Sequence, residues 1–266
     1  MFIKNNVNTF MKLLFSLAFV SIILISCVPQ VQLITVKSTN KALINNDLVY
    51  QDSLVKISYY LYSPNGILLF RIRNCSAKPI FIDWKNSMYI VSNDKRYSYW
   101  NDESNIVEHV HGANIQWTSW ISTTNGTIQG QIKKPERITF LPPSTEIEIS
   151  KYAISDGKMF NMNGTTEIIT EKNNWKKTKK PATILHCSYD IKNTPLNFRN
   201  YITVSLTEDF KQPNYYDFGF WISDIHKMNI KQLVGDFFYI ANMDSTQINS
   251  KYHPYKSPNR FFISDK

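Results

Sequence analysis

One spacing in the 266-residue chain could hold a metal ion: Glu108-His109-Val110-His111. Alternate side chains of a strand share a face, so His109 and His111 would point together. Asp102 or Glu103 could then add an oxygen ligand to the two nitrogens. Nothing else in the sequence supports reaction chemistry. No Gly-rich phosphate loop joins a strand to a helix, and no G-x-S-x-G elbow occurs. The carboxylates of Asp102-Glu103 and of Glu208-Asp209 are sequence neighbours, so on strands they would face opposite ways and make poor acid–base pairs. His186 falls on the outward face of its strand, and His226 and His253 stand alone. A non-catalytic chain without metal or other cofactor is expected, with His109 and His111 as the metal candidates to examine.

Aromatic residues are better placed for binding. Trp100, Trp117, Trp120 and Trp175 lie in or beside long polar stretches. Exposed aromatic faces stack on sugar rings or anchor a peptide. The same four side chains could instead pin their own loops to the body of the protein. Both readings stay open from the sequence.

The most specific chemistry is at the N-terminus. Leu13 to Ile25 is an apolar run behind Lys12, short of the roughly 20 residues a spanning helix needs. A basic start, a short apolar core and a small residue before the cut describe an export signal, here residues 1–26 as a helix. Leu24-Ile25-Ser26-Cys27 is a lipobox, in which the Cys27 thiol takes a diacylglyceryl group and becomes the mature N-terminus. Each buried methylene of the acyl chains adds about 0.8 kcal/mol to membrane binding. Met11-Lys12 would serve as a start as well as Met1. The absence of acidic residues between Cys27 and Asp47 favours a periplasmic-facing outer-membrane address.

The chain carries 30 Lys and Arg against 21 Asp and Glu, for a formal charge of +9. A basic balance can attract nucleic acid, but these lysines are scattered, and an exported protein is not expected to meet nucleic acid. Only Lys172 to Lys180 clusters them, which suits a solvated loop or a patch for phosphate-bearing lipid or glycan. At 43% hydrophobic and 14% aromatic residues the chain should fold. With Cys27 modified, Cys75 and Cys187 remain, and strand alternation turns them to different faces, against a disulfide.

The elements that must position these residues read as strands. Alternation predicts strands over 54–62, 66–74, 80–84, 87–91, 95–100, 137–141, 146–153, 183–189, 201–206, 216–222 and 237–240. Asn65-Gly66 between the first two is a hairpin turn signal. Residues 102–132 and 155–181 read as long excursions, and 224–234 as one or two helical turns. Many short strands with almost no helical period predict an antiparallel β-sandwich. Residues 27–46 are expected to form the lipidated N-terminus and a tether, including an early strand at 31–36 and reaching roughly 65 Å if extended. Residues 47–241 should form the sandwich, and 242–266 a loose tail.

Three stretches make the chain look familiar: Asn74 to Ser87 (NCSAKPIFIDWKNS), Pro135 to Pro143 (PERITFLPP) and Pro195 to Thr203 (PLNFRNYIT). On these it resembles uncharacterised Bacteroidota lipoproteins. The resemblance implies an envelope lipoprotein with an immunoglobulin-like β domain, and supplies no catalytic residues. Asp83 or Ser87 should satisfy turn amides, and Trp84 should pack over one end of the core. The expected function is that of a membrane-anchored interaction or structural module whose partner is an envelope protein or a glycan. The alternative is a glycan-binding module using the loop tryptophans.

Overall fold

A computed structural model describes residues 29–40, 43, 47–92, 95–100, 136–172, 181–235, 237–241, 247–251 and 253–264. In chain order the strands are β1 (Gln30–Ser38), β2 (Val49–Gln51), β3 (Val55–Tyr60), β4 (Ile67–Asn74), β5 (Ile80–Asp83), β6 (Met88–Val91), β7 (Lys95–Ser98) and β8 (Ile138–Leu141). They continue with β9 (Glu146–Ala153), β10 (Thr165–Glu171), β11 (Ala182–Ser188), β12 (Asn197–Ser205) and β13 (Asn214–Asn229). A short helix α1 (Ile230–Leu233) precedes β14 (Phe237–Ala241), β15 (Gln247–Lys251) and β16 (Arg260–Ser264). No helix among the described residues is long and apolar enough to cross a membrane.

The larger sheet has ten strands along the path β10-β11-β13-β12-β5-β8, with β1 also paired to β13 and β16 to β1, and with β6 also paired to β12 and β7 to β6. The smaller sheet is β2-β3-β4-β9, and β14 pairs only with β15. The expected all-β sandwich forms because both sheets turn alternate apolar residues to one core. Ile57, Tyr59, Phe70 and Ile72 face Ile202, Val204, Phe218, Phe220 and Ile222, all buried. Tyr59 meets Phe220 edge-on at 4.9 Å, a favoured aromatic geometry. The β3–β4 hairpin turns at Asn65 (φ 60°) and Gly66 (φ 67°). A Cβ on Gly66 would lie 2.7 Å from the Phe261 ring, so both the φ and the space require glycine.

Four segments differ from their sequence expectation. The tether is not free: β1 pairs with β13 over its whole length and with β16 on its other side. Its apolar residues fall on both parities, as in a strand covered on both faces. Ile34 and Val36 enter the main core, and Val31 and Leu33 enter a second cluster on the opposite face of the sheet. Gln32 is buried at 2% exposure because its amide exchanges two 2.8 Å hydrogen bonds with the backbone of Phe160. The tail is not loose either, since Phe261 and Ile263 of β16 are fully buried.

The second excursion contains β10, a polar edge strand paired with β11. An edge strand needs no continuous apolar face, so its pattern was silent. Finally, β13 runs on to Asn229, where a helix was expected. The register between β1 and β13 slips at Thr35/Val36, leaving Ser223 as the extra residue of a bulge. Alternation changes parity there, which breaks the period-2 signal. Only Ile230–Leu233 is helical, with the Asn229 side chain accepting from the Lys231 amide at 2.8 Å.

Candidate functional site

The outward face of the larger sheet mixes apolar, aromatic and charged side chains. On β12, Arg199, Tyr201 and Thr203 share this face, beside Met88 and Ile90 of β6, Arg96 of β7 and Tyr215 of β13. Together they line an open groove of about 540 Å³, within the range of small-ligand sites. The Asp83–Asn86 turn closes one part, and Phe210 and Pro213 wall another. Phe210 holds a left-handed φ of 50°, an uncommon conformation for a bulky side chain. Hydrogen bonds of Thr207 and Lys211 to the Asp209 carboxylate order the loop around it.

Tyr201 and Tyr215 stack with centroids 5.7 Å apart and planes inclined by 24°. Tyr215 is 59% exposed, so its ring offers a flat face to solvent. Arg199 forms a two-point ion pair with Asp217. Arg96 is exposed and has no ion-pair partner among the described residues. The lining carboxylate, Asp83, is buried and fully engaged: Arg137 Nη2 donates at 3.2 Å and Asn86 Nδ2 at 2.8 Å, with the Lys85 amide at 3.0 Å. Burial alone would raise its pKa, but these donors outweigh it and hold the carboxyl below its ordinary value. Asp83 is therefore a structural anion, not a proton donor or acceptor for a ligand.

This corner also joins the stretches that carry the sequence resemblance. Ser87 Oγ donates to the Asp83 carbonyl and accepts from the Thr203 amide. Trp84 Nε1 donates to Thr139 Oγ1 at 2.8 Å, and Trp84 is 6% exposed over the core. The turn role expected for Asp83 and the packing expected for Trp84 are thus present, while Ser87 ties the turn to β12.

Of the sequence candidates, Trp100 is described. It is half-buried against the main core, and the Lys85 ammonium sits 5.5 Å from its ring centroid. Cys27, His109, His111, Trp117, Trp120 and Trp175 lie outside the described residues. Cys75 is exposed beyond β4, and Cys187 is buried on β11 in the other sheet. Among the described residues, no group of three or more His, Cys, Asp or Glu side chains is placed to hold a metal ion.

His226 is not isolated as expected. It is the direct cross-strand partner of His186, and the two rings stack at 4.6 Å. His186 Nδ1 lies 2.9 Å from Glu167, and Nε2 lies 3.1 Å from Asp224. Burial lowers the His186 pKa, yet the two carboxylates more than reverse this and raise it. For His226, burial and the charge of His186 push it down. With both nitrogens of His186 engaged, the cluster is an internal ion network. Only the β11–β13 register, which no local pattern encodes, brings the two rings together. No family model, curated protein or solved structure matches this chain.

Proposed function

We propose that the chain is a lipid-anchored, non-catalytic binding module of the cell envelope, with acylated Cys27 as its anchor and the groove on the larger sheet as its ligand face. The outward cluster of Met88, Ile90, Tyr201 and Tyr215 beside Arg96 carries this reading. A rigid sheet presents apolar contact, two aromatic rings and an exposed cation, while the lining carboxylate is consumed by Arg137. Such a surface suits recognition rather than bond making. Anchoring is tested by Cys27→Ser: the variant should accumulate as precursor or leave the membrane fraction. Mature membrane-bound protein from that variant would reject the anchor.

A glycan ligand is the second reading, and the stacked tyrosines favour it. Sugar C–H faces pack on aromatic rings, and Arg96 could meet an acidic or hydroxyl-rich ring beside them. The expected platform thereby shifts from loop tryptophans to Tyr201 and Tyr215. On a glycan array, Tyr201→Ala with Tyr215→Ala should abolish retention, whereas Trp117→Ala with Trp120→Ala should leave it. The opposite result would return the site to the loops.

A further inference from the structure

The anchor and the fold meet with almost no chain between them. Val28 and Pro29 alone separate Cys27 from β1. Pro29 is already held, because its carbonyl accepts from the Ile230 amide at 3.0 Å. β1 then runs directly into the interior, with Val31 and Leu33 at 0% and 1% exposure. Three residue steps from Cys27 to Gln30 span about 10 Å at most. A lipid on Cys27 therefore fixes one particular end of the sandwich.

That end can be read from the strand registers. Gln30 pairs with Asn229, Val31 with Ser264, and Glu171 with Ala182. The end is capped by α1, whose Leu233 packs into the second apolar cluster while Lys231 stays exposed. Lys172 is exposed beside it, and Glu171 is engaged by the Tyr255 hydroxyl at 2.7 Å. Half-buried Ile230 and Val234 lie on either side of Lys231 along α1. Lysines beside partly exposed aliphatic groups match a headgroup layer, where ammonium groups meet phosphates.

The groove lies away from this end. Tyr215 is near the start of the 16-residue strand whose last residue, Asn229, is at the anchor. At about 3.3 Å per residue, the anchor is separated from the groove by about 33 Å of strand at Gly219, the partner of Arg199, and by about 46 Å at Tyr215.

We infer that the anchor leaves no stalk: the α1 end of the sandwich, with Lys172 and Lys231, rests directly on the phospholipid headgroups, and the groove is carried outward. This rests on acylation of Cys27, proposed above. A tether of the length expected from the sequence would let the domain tumble, whereas a three-step connection imposes an orientation.

The test uses full-length protein matured in an exporting host and reconstituted into vesicles of phosphatidylethanolamine and phosphatidylglycerol. In a Cys75→Ser background, Lys231→Cys and Lys211→Cys are labelled separately with an environment-sensitive fluorophore. Lys211 lies in the β12–β13 connection, at the other end of β13. Headgroup spin-labelled lipid should quench the probe at 231 and leave the probe at 211 unquenched. Inserting a Gly-Ser linker between Val28 and Pro29, outside every strand, should abolish the quenching at 231. Mass spectrometry of the mature N-terminus separates the two claims. An acylated Cys27 with equal quenching at both positions, or quenching that survives the linker, overturns the orientation alone. An unacylated N-terminus overturns the anchor and the orientation with it.

Discussion

The hydroxyl of Tyr99 donates to Asn200 Oδ1 at 2.8 Å, and Asn200 Nδ2 donates to the Tyr59 hydroxyl at 3.1 Å. Asn200 is 0% exposed, and its two partners come from the smaller sheet and from the segment after β7. This buried polar chain fixes how the sheets are set against each other. Burial raises the pKa of both phenols far above the ordinary tyrosine value, so both remain neutral partners. Asn200→Ala would strand two hydroxyls in an apolar core at a cost of about 3 kcal/mol. The urea midpoint should fall accordingly, and an unchanged midpoint would show that the hydroxyls find other partners.

Binding should separate from folding at the groove. Tyr215 and Arg96 are exposed, so Tyr215→Ala or Arg96→Ala should shift stability by no more than about 0.5 kcal/mol. If their side chains form the centre of the contact, each loss should weaken retention on a responding glycan or envelope-protein ligand by about tenfold or more. Circular dichroism and binding measured on the same preparation decide this. Weakened binding that merely tracks lost stability would remove the groove as the ligand face.

How legible each part was depends on how local its signal is. Asn65-Gly66 announced its hairpin because the turn conformation is a property of two neighbouring residues. The inward sets of β3 and β4 were legible for the same reason, since alternation is local. The early strand expected at 31–36 is present as β1, but its place inside the sheet was not legible, because Val31, Leu33, Ile34 and Val36 do not alternate when both faces are covered. The groove was invisible because Arg96, Tyr201 and Tyr215 come from three strands, and only their registers unite them. One legible position offers a direct check. Gly66→Ala adds a Cβ 2.7 Å from Phe261 at a φ of +67°. Strain and overlap together should destabilise the protein by about 1–3 kcal/mol, while Asn65→Gly should be tolerated.

The C-terminal strand makes a second contrast with the sequence pattern. Phe261 and Ile263 are buried at 0% exposure, and the Asn259 carbonyl accepts from the Val36 amide at 2.8 Å. Removing residues 259–266 would uncover one edge of β1 and empty two large apolar sites, each worth about 2–5 kcal/mol. That loss rivals the total stability of an ordinary domain. The truncated chain should be insoluble or degraded on expression, whereas removing only Asp265 and Lys266 should have no effect. A soluble, cooperative truncation at 259 would mean that β16 adds little.

The stacked histidines should give stability two opposing pH dependences. His186 has a raised pKa in the fold, so the native state holds its proton better than the unfolded chain. Its contribution is complete below the unfolded value of about 6.5 and is lost as pH rises through its folded value. His226 has a lowered pKa, and its Nδ1 is buried without a hydrogen-bond partner. The unfolded chain binds that proton more readily, so its contribution is lost as pH falls below about 6.5. The charges of Asp224, Glu171 and Arg260 also act on His226. His226→Phe keeps a ring against His186 and removes the opposing titration. It should gain stability relative to wild type as pH falls from about 8 to about 5. His186→Gln should do the reverse. Urea midpoints of both variants across that range test the pair, and parallel pH profiles for all three proteins would show that the stack carries no linked protons.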